Sequence, residues 1–315
     1  MPTRYFIGID LGGTNIAVAL CDETGKILGR AKMKTVATRH YTEILNDMAS
    51  CAFLSAENAG IPFEKVESVG IGCPGTVDIK KGEVEYCNNL NFKNVPVVSY
   101  MEEKLHKKVY IENDANAACW GEHLAGSGKD SDSMILITLG TGVGGGIIEG
   151  GRLIRGAYGK GAELGHTVIA MDGEPCNCGR KGCLEAYASA TALVRQTKKA
   201  MLDNPDSDLW RVAEGSLENV NGRTAFLAKD AVAKKVVDNY LYYLSEGVVN
   251  IVNLLQPKVV CIGGGISHEG DTLLKPLRQA IKERSYARHS DKQTVVTLAT
   301  LGNDAGIIGA ALLGR

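Results

Sequence analysis

The 315-residue chain has little net charge, few aromatic side chains and no long hydrophobic run. Lysine and arginine together number 35 and aspartate and glutamate 36, so the formal net charge is −1. This balance gives no overall attraction to nucleic acid or to anionic membranes, which argues against DNA binding. The longest apolar stretch, near residues 247–255, is broken by Asn250 and Asn253 and is shorter than the ~18 residues that span a bilayer. We therefore expect a soluble protein.

Disulfides are not needed to hold a chain of this length together, because it can bury a large hydrophobic core. The nine cysteines are an odd number, and the first residues, MPTRYFIGID, run directly into a strand pattern rather than a secretory signal. These features favour a reducing, cytoplasmic setting. Proline is scarce, with 8 residues, whereas glycine is abundant, with 38, so we expect the additional glycines to form special turns.

Strand patterns and helix patterns alternate along the chain, which is typical of α/β folds. Strands are predicted at Tyr5–Asp10, Ile16–Cys21, Val66–Gly72, Lys108–Glu112, Ser133–Ile137 and Lys258–Ile262, and helices at 42–59, Ala115–Leu124, 224–255 and Ala305–Leu313. The segment Ile7–Gly13 resembles Ile135–Thr141, which starts about 128 residues later. This weak repeat indicates two related halves that face one cleft.

Three glycine-rich turns follow predicted strands, at Leu11–Thr14, Leu139–Gly142 and Gly263–Gly265. Backbone N–H groups in such turns can point together at an anion. The set therefore indicates a phosphate-rich ligand, whereas any one turn is also explained as a tight hairpin. The second turn matches the dinucleotide spacing G-x-G-x-x-G, but the glycines and β-branched residues that follow it favour a strand rather than the required helix.

The segment Glu112–Asn116 places two carboxylates and two amides at the end of a predicted strand, where open α/β sheets bind their ligands. Asp114 is well placed to cap the following helix. It is also placed to deprotonate a substrate hydroxyl that attacks phosphorus, with Asn113 binding a neighbouring hydroxyl. The residues alone leave both roles open.

One histidine and three cysteines form a candidate metal site: His166, Cys176, Cys178 and Cys183. This is a complete ligand set for a tetrahedral, structural Zn²⁺. Packing does not explain cysteines so close together among glycines, and a disulfide is less favoured in a reducing setting. Because a zinc-bound histidine normally donates its second ring N–H, we expect His166 to bind a substrate hydroxyl beside Glu163 and Glu185.

Together these segments resemble the ROK family of sugar kinases, and within it the bacterial glucokinases. The resemblance covers nearly the whole chain and also rests on Cys73–Asp78, Asn89–Leu90 and Cys176–Glu185. It implies an α/β fold of the actin-like (ribonuclease-H-like) ATPase class, with two α/β domains flanking a cleft. The expected domains are a small one, 1–113, with the C-terminal helix 303–315 packed back on it, and a large one, 114–302, with the zinc site.

The resemblance also implies an activity, which is ATP-dependent phosphorylation of a hexose at its C6 hydroxyl, with glucose as the favoured sugar. Mg²⁺ and a structural Zn²⁺ are the implied metals. The implied partners are a small sugar and ATP, without nucleic acid or membrane, in a homodimer or a dimer of dimers that serves glycolysis.

The family's functional positions transfer to this chain residue by residue. Asp114 takes the place of the catalytic base and contacts the sugar. The other sugar-binding positions fall on Gly75, Asn89, Asn113, Glu163, His166 and Glu185. The positions that hold Mg²⁺–ATP fall on Asp10, Gly12, Gly13, Thr14, Thr141, Gly142, Gly264 and Gly265. The zinc ligands fall on His166, Cys176, Cys178 and Cys183.

Two alternatives accompany this interpretation. The first is a kinase for another sugar, such as N-acetylmannosamine, N-acetylglucosamine, allose or fructose, because those relatives share nearly all the motifs. The second is a non-catalytic, sugar-responsive regulator. Repressors of the family carry a helix-turn-helix ahead of the first glycine hairpin, and a first strand near Tyr5 is expected to leave no room for one.

Overall fold

Tertiary contacts divide the chain into two compact α/β units. The computed structural model describes residues 3–315. The first unit comprises the described residues up to Leu136 together with Gly146–Ala162 and Thr300–Arg315, and the second comprises Ile137–Gly145 and Glu163–Ala299. Compactness therefore groups residues 114–136, 146–162 and 300–302 with the first unit, whereas the sequence analysis assigned all of 114–302 to the large domain. As a division into domains, the boundary at residue 114 stays a prediction.

Thirteen strands and ten α-helices are present in residues 3–315. The strands are β1 (Tyr5–Leu11), β2 (Asn15–Asp22), β3 (Ile27–Lys34), β4 (Val66–Cys73), β5 (Thr76–Asp78), β6 (Glu83–Cys87), β7 (Phe92–Val95), β8 (Lys108–Asn113), β9 (Met134–Leu139), β10 (Val143–Glu149), β11 (Arg152–Leu153), β12 (Val259–Gly263) and β13 (Val295–Leu298). The helices are α1 (Tyr41–Asn58), α2 (Val97–Leu105), α3 (Asp114–Ala125), α4 (Glu185–Ala188), α5 (Ala190–Asp203), α6 (Asp208–Val212), α7 (Thr224–Leu227), α8 (Ala231–Leu255), α9 (Asp271–Arg284) and α10 (Ala305–Ala311).

The central sheet of the first unit has the strand order β3-β2-β1-β4-β8. β1 pairs antiparallel with β2, whereas β1 with β4 and β4 with β8 are parallel, and Cys73 lies opposite Asn113. Because parallel strands end at the same edge of a sheet, the carboxyl ends of β1, β4 and β8 meet there. This edge brings Asp10 and Asn113 to the same side of the unit.

Glycines allow α10 to pack against the sheet at backbone distance. A Cβ atom on Gly8 of β1 would lie 1.9 Å from the carbonyl oxygen of Ile307, and one on Gly70 of β4 would lie 1.8 Å from that of Ala310. A Cβ atom on Gly309 would lie 1.7 Å from the carbonyl oxygen of Ala117 in α3. The C-terminal helix is thus part of the first unit, against β1, β4 and α3.

A three-stranded sheet, β5-β6-β7, also belongs to the first unit and is antiparallel. The sequence analysis did not predict these short strands. They carry the chain from β4 to α2, and the turn that follows β6 contains Asn89.

The second five-stranded sheet has the order β11-β10-β9-β12-β13, with β12 and β13 parallel. The single helix expected at 224–255 is instead two helices, α7 and α8, separated at Ala228–Asp230. Asp230 explains the break, because its side chain accepts hydrogen bonds from the Ala233 N–H at 2.9 Å and from Ser207 Oγ at 2.7 Å. None of the helices in residues 3–315 has the length and apolarity that crossing a bilayer requires.

Candidate active site

Two carboxylates lie at the carboxyl edge of the first sheet. Asp10 is near the end of β1, and Asp114 is the first residue of α3. Burial raises the pKa of Asp10 to about 6, and the negative charge of Asp114 adds to the effect. Surrounding protein also raises the pKa of Asp114, although its side chain remains exposed. A carboxylate with a raised pKa is a stronger base, and an exposed one can be reached by a substrate.

Asn113, rather than Asp114, caps the helix that begins at this edge. Its Oδ1 accepts hydrogen bonds from the N–H groups of Ala115 at 2.9 Å and Asn116 at 3.2 Å. Asp114 as the N-cap is therefore wrong, because an amide oxygen already satisfies these N–H groups. Asn113 Nδ2 donates to the carbonyl oxygen of Gly75 at 3.3 Å, so this Nδ2 is the part of the side chain that can also donate to a ligand.

The first glycine turn lies beside the loop that carries Asn89. A Cβ atom on Gly13 would lie 3.4 Å from the Cβ atom of Asn89. The turn closes on itself through a hydrogen bond of 2.9 Å from the Gly12 N–H to the Asn15 carbonyl oxygen, and Thr14 is exposed. The Gly12 N–H is therefore already used inside the turn.

Gly75 adopts a conformation that glycine favours, with φ of 91°. A Cβ atom at this position would lie 2.3 Å from the carbonyl oxygen of Tyr86. Both the backbone angle and the close approach explain the glycine at this position.

In the second unit, Glu185 lies against the second glycine turn. Its Oε2 accepts a hydrogen bond of 3.0 Å from the Val143 N–H, and a Cβ atom on Gly142 would lie 2.4 Å from the same oxygen. The Thr141 carbonyl oxygen accepts a hydrogen bond from Thr191. Glycine at position 142 is thus required for the carboxylate of Glu185 to reach the turn.

The third glycine turn meets the end of β9, which precedes the second turn. Gly264 has φ of 82°, and a Cβ atom there would lie 2.5 Å from the carbonyl oxygen of Leu139. Gly265 has open space where a Cβ atom would be. The second and third turns are therefore neighbours, which supports part of the predicted convergence of glycine turns.

The four predicted zinc ligands form one cluster in the second unit. The ligand atoms of His166, Cys176, Cys178 and Cys183 all lie within 4.8 Å of one another. The distance from Cys176 Sγ to His166 Nδ1 is 3.6 Å, and that from Cys178 Sγ to Cys183 Sγ is 3.7 Å. Bonds of about 2.3 Å in a tetrahedron give ligand separations of about 3.8 Å, so the cluster fits zinc.

The cluster lies beside the side chain of Glu185 and the backbone of Glu163, two of the predicted sugar-binding residues. Cys176 Sγ is 3.8 Å from Glu185 Oε1. The backbone N–H of His166 donates to the carbonyl oxygen of Glu163 at 3.0 Å, and the Glu163 side chain is exposed. With Nδ1 of His166 directed at Cys176, its Nε2 is the ring nitrogen available to a ligand.

The predicted site residues fall into two groups, one in each unit. The first unit holds Asp10, Gly12, Gly13, Thr14, Gly75, Asn89, Asn113 and Asp114. The second holds Thr141, Gly142, Glu163, His166, Cys176, Cys178, Cys183, Glu185, Gly264 and Gly265. Sequence reasoning missed the ion pair between Arg155 and Glu112, because nothing in the spacing of two residues so far apart indicates a contact.

Comparison with known proteins gives consistent matches along almost the entire chain. The model of the ROK family matches residues 6–315. The glucokinase of Halalkalibacterium halodurans is 37% identical over 99% of this chain and 96% of its own length, and that of Thermotoga maritima is 37% identical over 99% and 97%. A solved ROK-family glucokinase from Streptomyces griseus, in complex with glucose and AMPPNP, has a TM-score of 0.80 at 36% identity and 98% coverage of both chains.

Proposed function

The chain belongs to the ROK family, and from this we propose that it transfers the γ-phosphoryl group of ATP to the C6 hydroxyl of glucose. The observation that carries the proposal is the similarity to bacterial glucokinases over nearly the full length of both partners. The similar structure that holds glucose and AMPPNP supports an ATP-type donor. The protein is a hexose kinase with the actin-like ATPase fold, as the sequence analysis expected.

Asp114 is the proposed catalytic base. Its carboxylate accepts the proton of the sugar hydroxyl as that oxygen attacks the γ-phosphorus. The exposed position and raised pKa of Asp114 support this role. Asn113 binds a neighbouring hydroxyl through Nδ2, since its Oδ1 is committed to the helix cap. Gly75 and Asn89 complete the sugar-binding group of the first unit.

The glycine turns and Asp10 are the proposed binding groups for the nucleotide phosphates. The turns contain Gly12, Gly13, Thr14, Thr141, Gly142, Gly264 and Gly265. The carboxylate of Asp10 suits Mg²⁺, which prefers oxygen ligands. Bound Mg²⁺ neutralises negative charge on the transferring group. Asp10 would hold the cation, while the backbone of the turns orients the phosphate chain.

We further propose that His166, Cys176, Cys178 and Cys183 hold a structural zinc ion. The ion would fix the segment between Glu163 and Glu185, whose side chains then bind sugar hydroxyls together with Nε2 of His166. A closed set of four protein ligands supports a structural rather than a catalytic role. The cluster separations given above support the assignment.

The proposal extends to location and assembly. No disulfide links any of the nine cysteines within residues 3–315, which supports a reducing, cytoplasmic setting. The role in glycolysis follows from the proposed phosphorylation of glucose. The homodimer or dimer of dimers is supported by the family resemblance.

The direct test is the formation of sugar phosphate with a panel of sugars. Glucose, N-acetylglucosamine, N-acetylmannosamine, allose and fructose are each offered with ATP, GTP or polyphosphate as donor. We expect the highest kcat/KM with glucose and ATP. Formation of no sugar phosphate from any of the sugars contradicts a kinase, and a higher kcat/KM with any other sugar contradicts the glucose assignment.

Replacing Asp114 by Asn tests the proposed base. We expect kcat to fall about 10³-fold, because a general base contributes about 10²- to 10⁴-fold. Glucose binding, measured by calorimetry, should remain. Asp238→Asn is the matched control, since Asp238 is exposed on α8 and pairs with Lys234. A kcat close to that of the wild type in Asp114→Asn would rule out this base.

A further inference from the structure

Glu112 is a fully buried carboxylate directly beside the proposed base. Its side chain is 1% exposed, and Arg155 Nε contacts its Oε2 at 2.5 Å. Its other oxygen, Oε1, accepts hydrogen bonds from the Asn113 N–H at 3.0 Å and from Asn116 Nδ2 at 3.1 Å. Both carboxylate oxygens are therefore engaged, one by a cation and the other by the residues on either side of Asp114.

The first turn of α3 is consequently held from two sides. Asn113 is fixed through its backbone by Glu112 and through its side chain by the Gly75 carbonyl oxygen. Asn116, which is 3% exposed, is fixed by Glu112. Asp114 lies between these anchored residues, so its position depends on where the carboxylate of Glu112 lies.

Arg155 belongs to a connecting segment, Ile154–Ala162, that follows β11 and leads directly to Glu163. The Gly161 N–H donates to the Arg155 carbonyl oxygen at 2.9 Å. Lys160 pairs with Glu85 at 2.6 Å. Within the first unit, two ion pairs thus hold the connecting segment to β8 and β6, and of these two only the Arg155 pair reaches the residues around Asp114.

We propose that Arg155 is a positioning residue for phosphoryl transfer, which it serves by holding Glu112 and thereby the Asn113–Asn116 turn that orients Asp114. A buried carboxylate without a cation is strongly disfavoured, so losing Arg155 forces the carboxylate of Glu112 to move. That movement loosens the hydrogen bonds that its Oε1 accepts from Asn113 and Asn116. The inference deepens the proposed kinase function and rests on it.

Arg155→Met is the first test. We expect kcat for glucose to fall about 10- to 100-fold, because a displacement of about 1 Å of a reacting group costs up to about 10²-fold. The KM for ATP should change less than kcat. Lys160→Met is the matched control, since it removes the other ion pair of the connecting segment, and its kcat should equal that of the wild type.

The double variant Glu112→Gln, Arg155→Met separates positioning from folding. It leaves no buried charge unpaired, so the melting temperature should return towards that of the wild type. The kcat should nevertheless stay at the level of Arg155→Met, because the fixed ion pair is still absent. If kcat recovered together with the melting temperature, the ion pair between Arg155 and Glu112 would serve only the stability of the fold, and the inference would be overturned.

An unchanged kcat in Arg155→Met would also overturn the inference that Arg155 positions Asp114. The wild-type enzyme, assayed in parallel, keeps the two proposals distinct. If the wild type does not phosphorylate any hexose, the proposed function fails. If it does and the variants match it, only the role of Arg155 fails.

Discussion

Asp10 lies at the end of β1 in surroundings that disfavour its own charge. Burial, with a contribution from the charge of Asp114, raises its pKa from 3.8 to about 6. A cation-binding site benefits from such a group, because a bound cation compensates the buried negative charge. The same group reduces the stability of the ligand-free protein at neutral pH.

The pH dependence of stability follows from this shift. A raised pKa means that the folded state binds the proton more tightly than the unfolded state does. The stability that the folded protein gains from the proton on Asp10 is fully present below pH 3.8 and is lost as the pH rises through about 6. The loss is at most about 3 kcal/mol at about 1.4 kcal/mol per pH unit.

Asp10→Asn should therefore stabilise the ligand-free protein at pH 8 by up to about 3 kcal/mol and change little at pH 3.5. Urea unfolding without Mg²⁺ or nucleotide measures the free energy of unfolding at both pH values. Asp22→Asn is a control of opposite sign, because hydrogen bonds from Thr24 and Lys26 outweigh burial and lower the pKa of Asp22. Equal stability of Asp10→Asn and the wild type at pH 8 would contradict this account.

At the scale of elements, α10 completes the first unit by close backbone packing. Gly8, Gly70 and Gly309 lie where any side chain would overlap a carbonyl group of a neighbouring element. These glycines are needed for space rather than for a special backbone angle. The sequence pattern predicted α10 as a small-residue helix but not these overlaps, which exist only once the helix is packed.

Gly70→Ala tests this packing. We expect a loss of about 1 to 3 kcal/mol or more in the free energy of unfolding, since the neighbouring backbone must move away. Gly60→Ala is the control, because Gly60 has φ of 67° but open space around a Cβ atom. Only the left-handed backbone angle opposes that change, at a cost of about 1 to 2 kcal/mol. A smaller loss for Gly70→Ala than for Gly60→Ala would contradict the packing argument.

The segment between the residues His166 and Glu185 contains no helix or strand, only isolated bridges such as that between Val168 and Cys183. The proposed zinc ion would supply the order that regular hydrogen bonding does not. This explains why helix and strand patterns found nothing here, while cysteine spacing located the cluster.

Removal of metal should therefore act on this segment first. Elemental analysis should find one zinc per chain, and Cys178→Ser should lower that content, whereas Cys51→Ser in α1 should not. Once a chelator has removed the zinc and excess Mg²⁺ has been restored, the KM for glucose should rise more than that for ATP. A protein that binds glucose equally well with and without metal would contradict the proposed role of the ion.

At the scale of the whole molecule, sequence reasoning succeeded where local patterns determine structure. The repeat of strand, glycine turn and strand corresponds to two five-stranded sheets of the same design, each with a hairpin strand on one side of the repeated strand and later strands on the other. The dinucleotide-like spacing in the second turn was dismissed correctly, because β10 is a strand.

Predictions failed where distant residues decide the outcome. The break before α8 depends on a bond between Asp230 and Ser207, which is far away in sequence. The choice of Asn113 over Asp114 as the cap depends on where β8 ends, which neighbouring strands determine. Arg155 was missed for the same reason, since its partner Glu112 precedes it by 43 residues.

The first unit is assembled from three separate stretches of chain, of which the last, Thr300–Arg315, includes α10. During synthesis, this stretch leaves the ribosome only after all of the second unit. The sheet around β1 must therefore stay incomplete, with the surface that α10 will cover still open to water, until Thr300–Arg315 has been translated. Nascent chains that stall before Thr300 would present that apolar surface to chaperones, even though the residues of the second unit have already been translated.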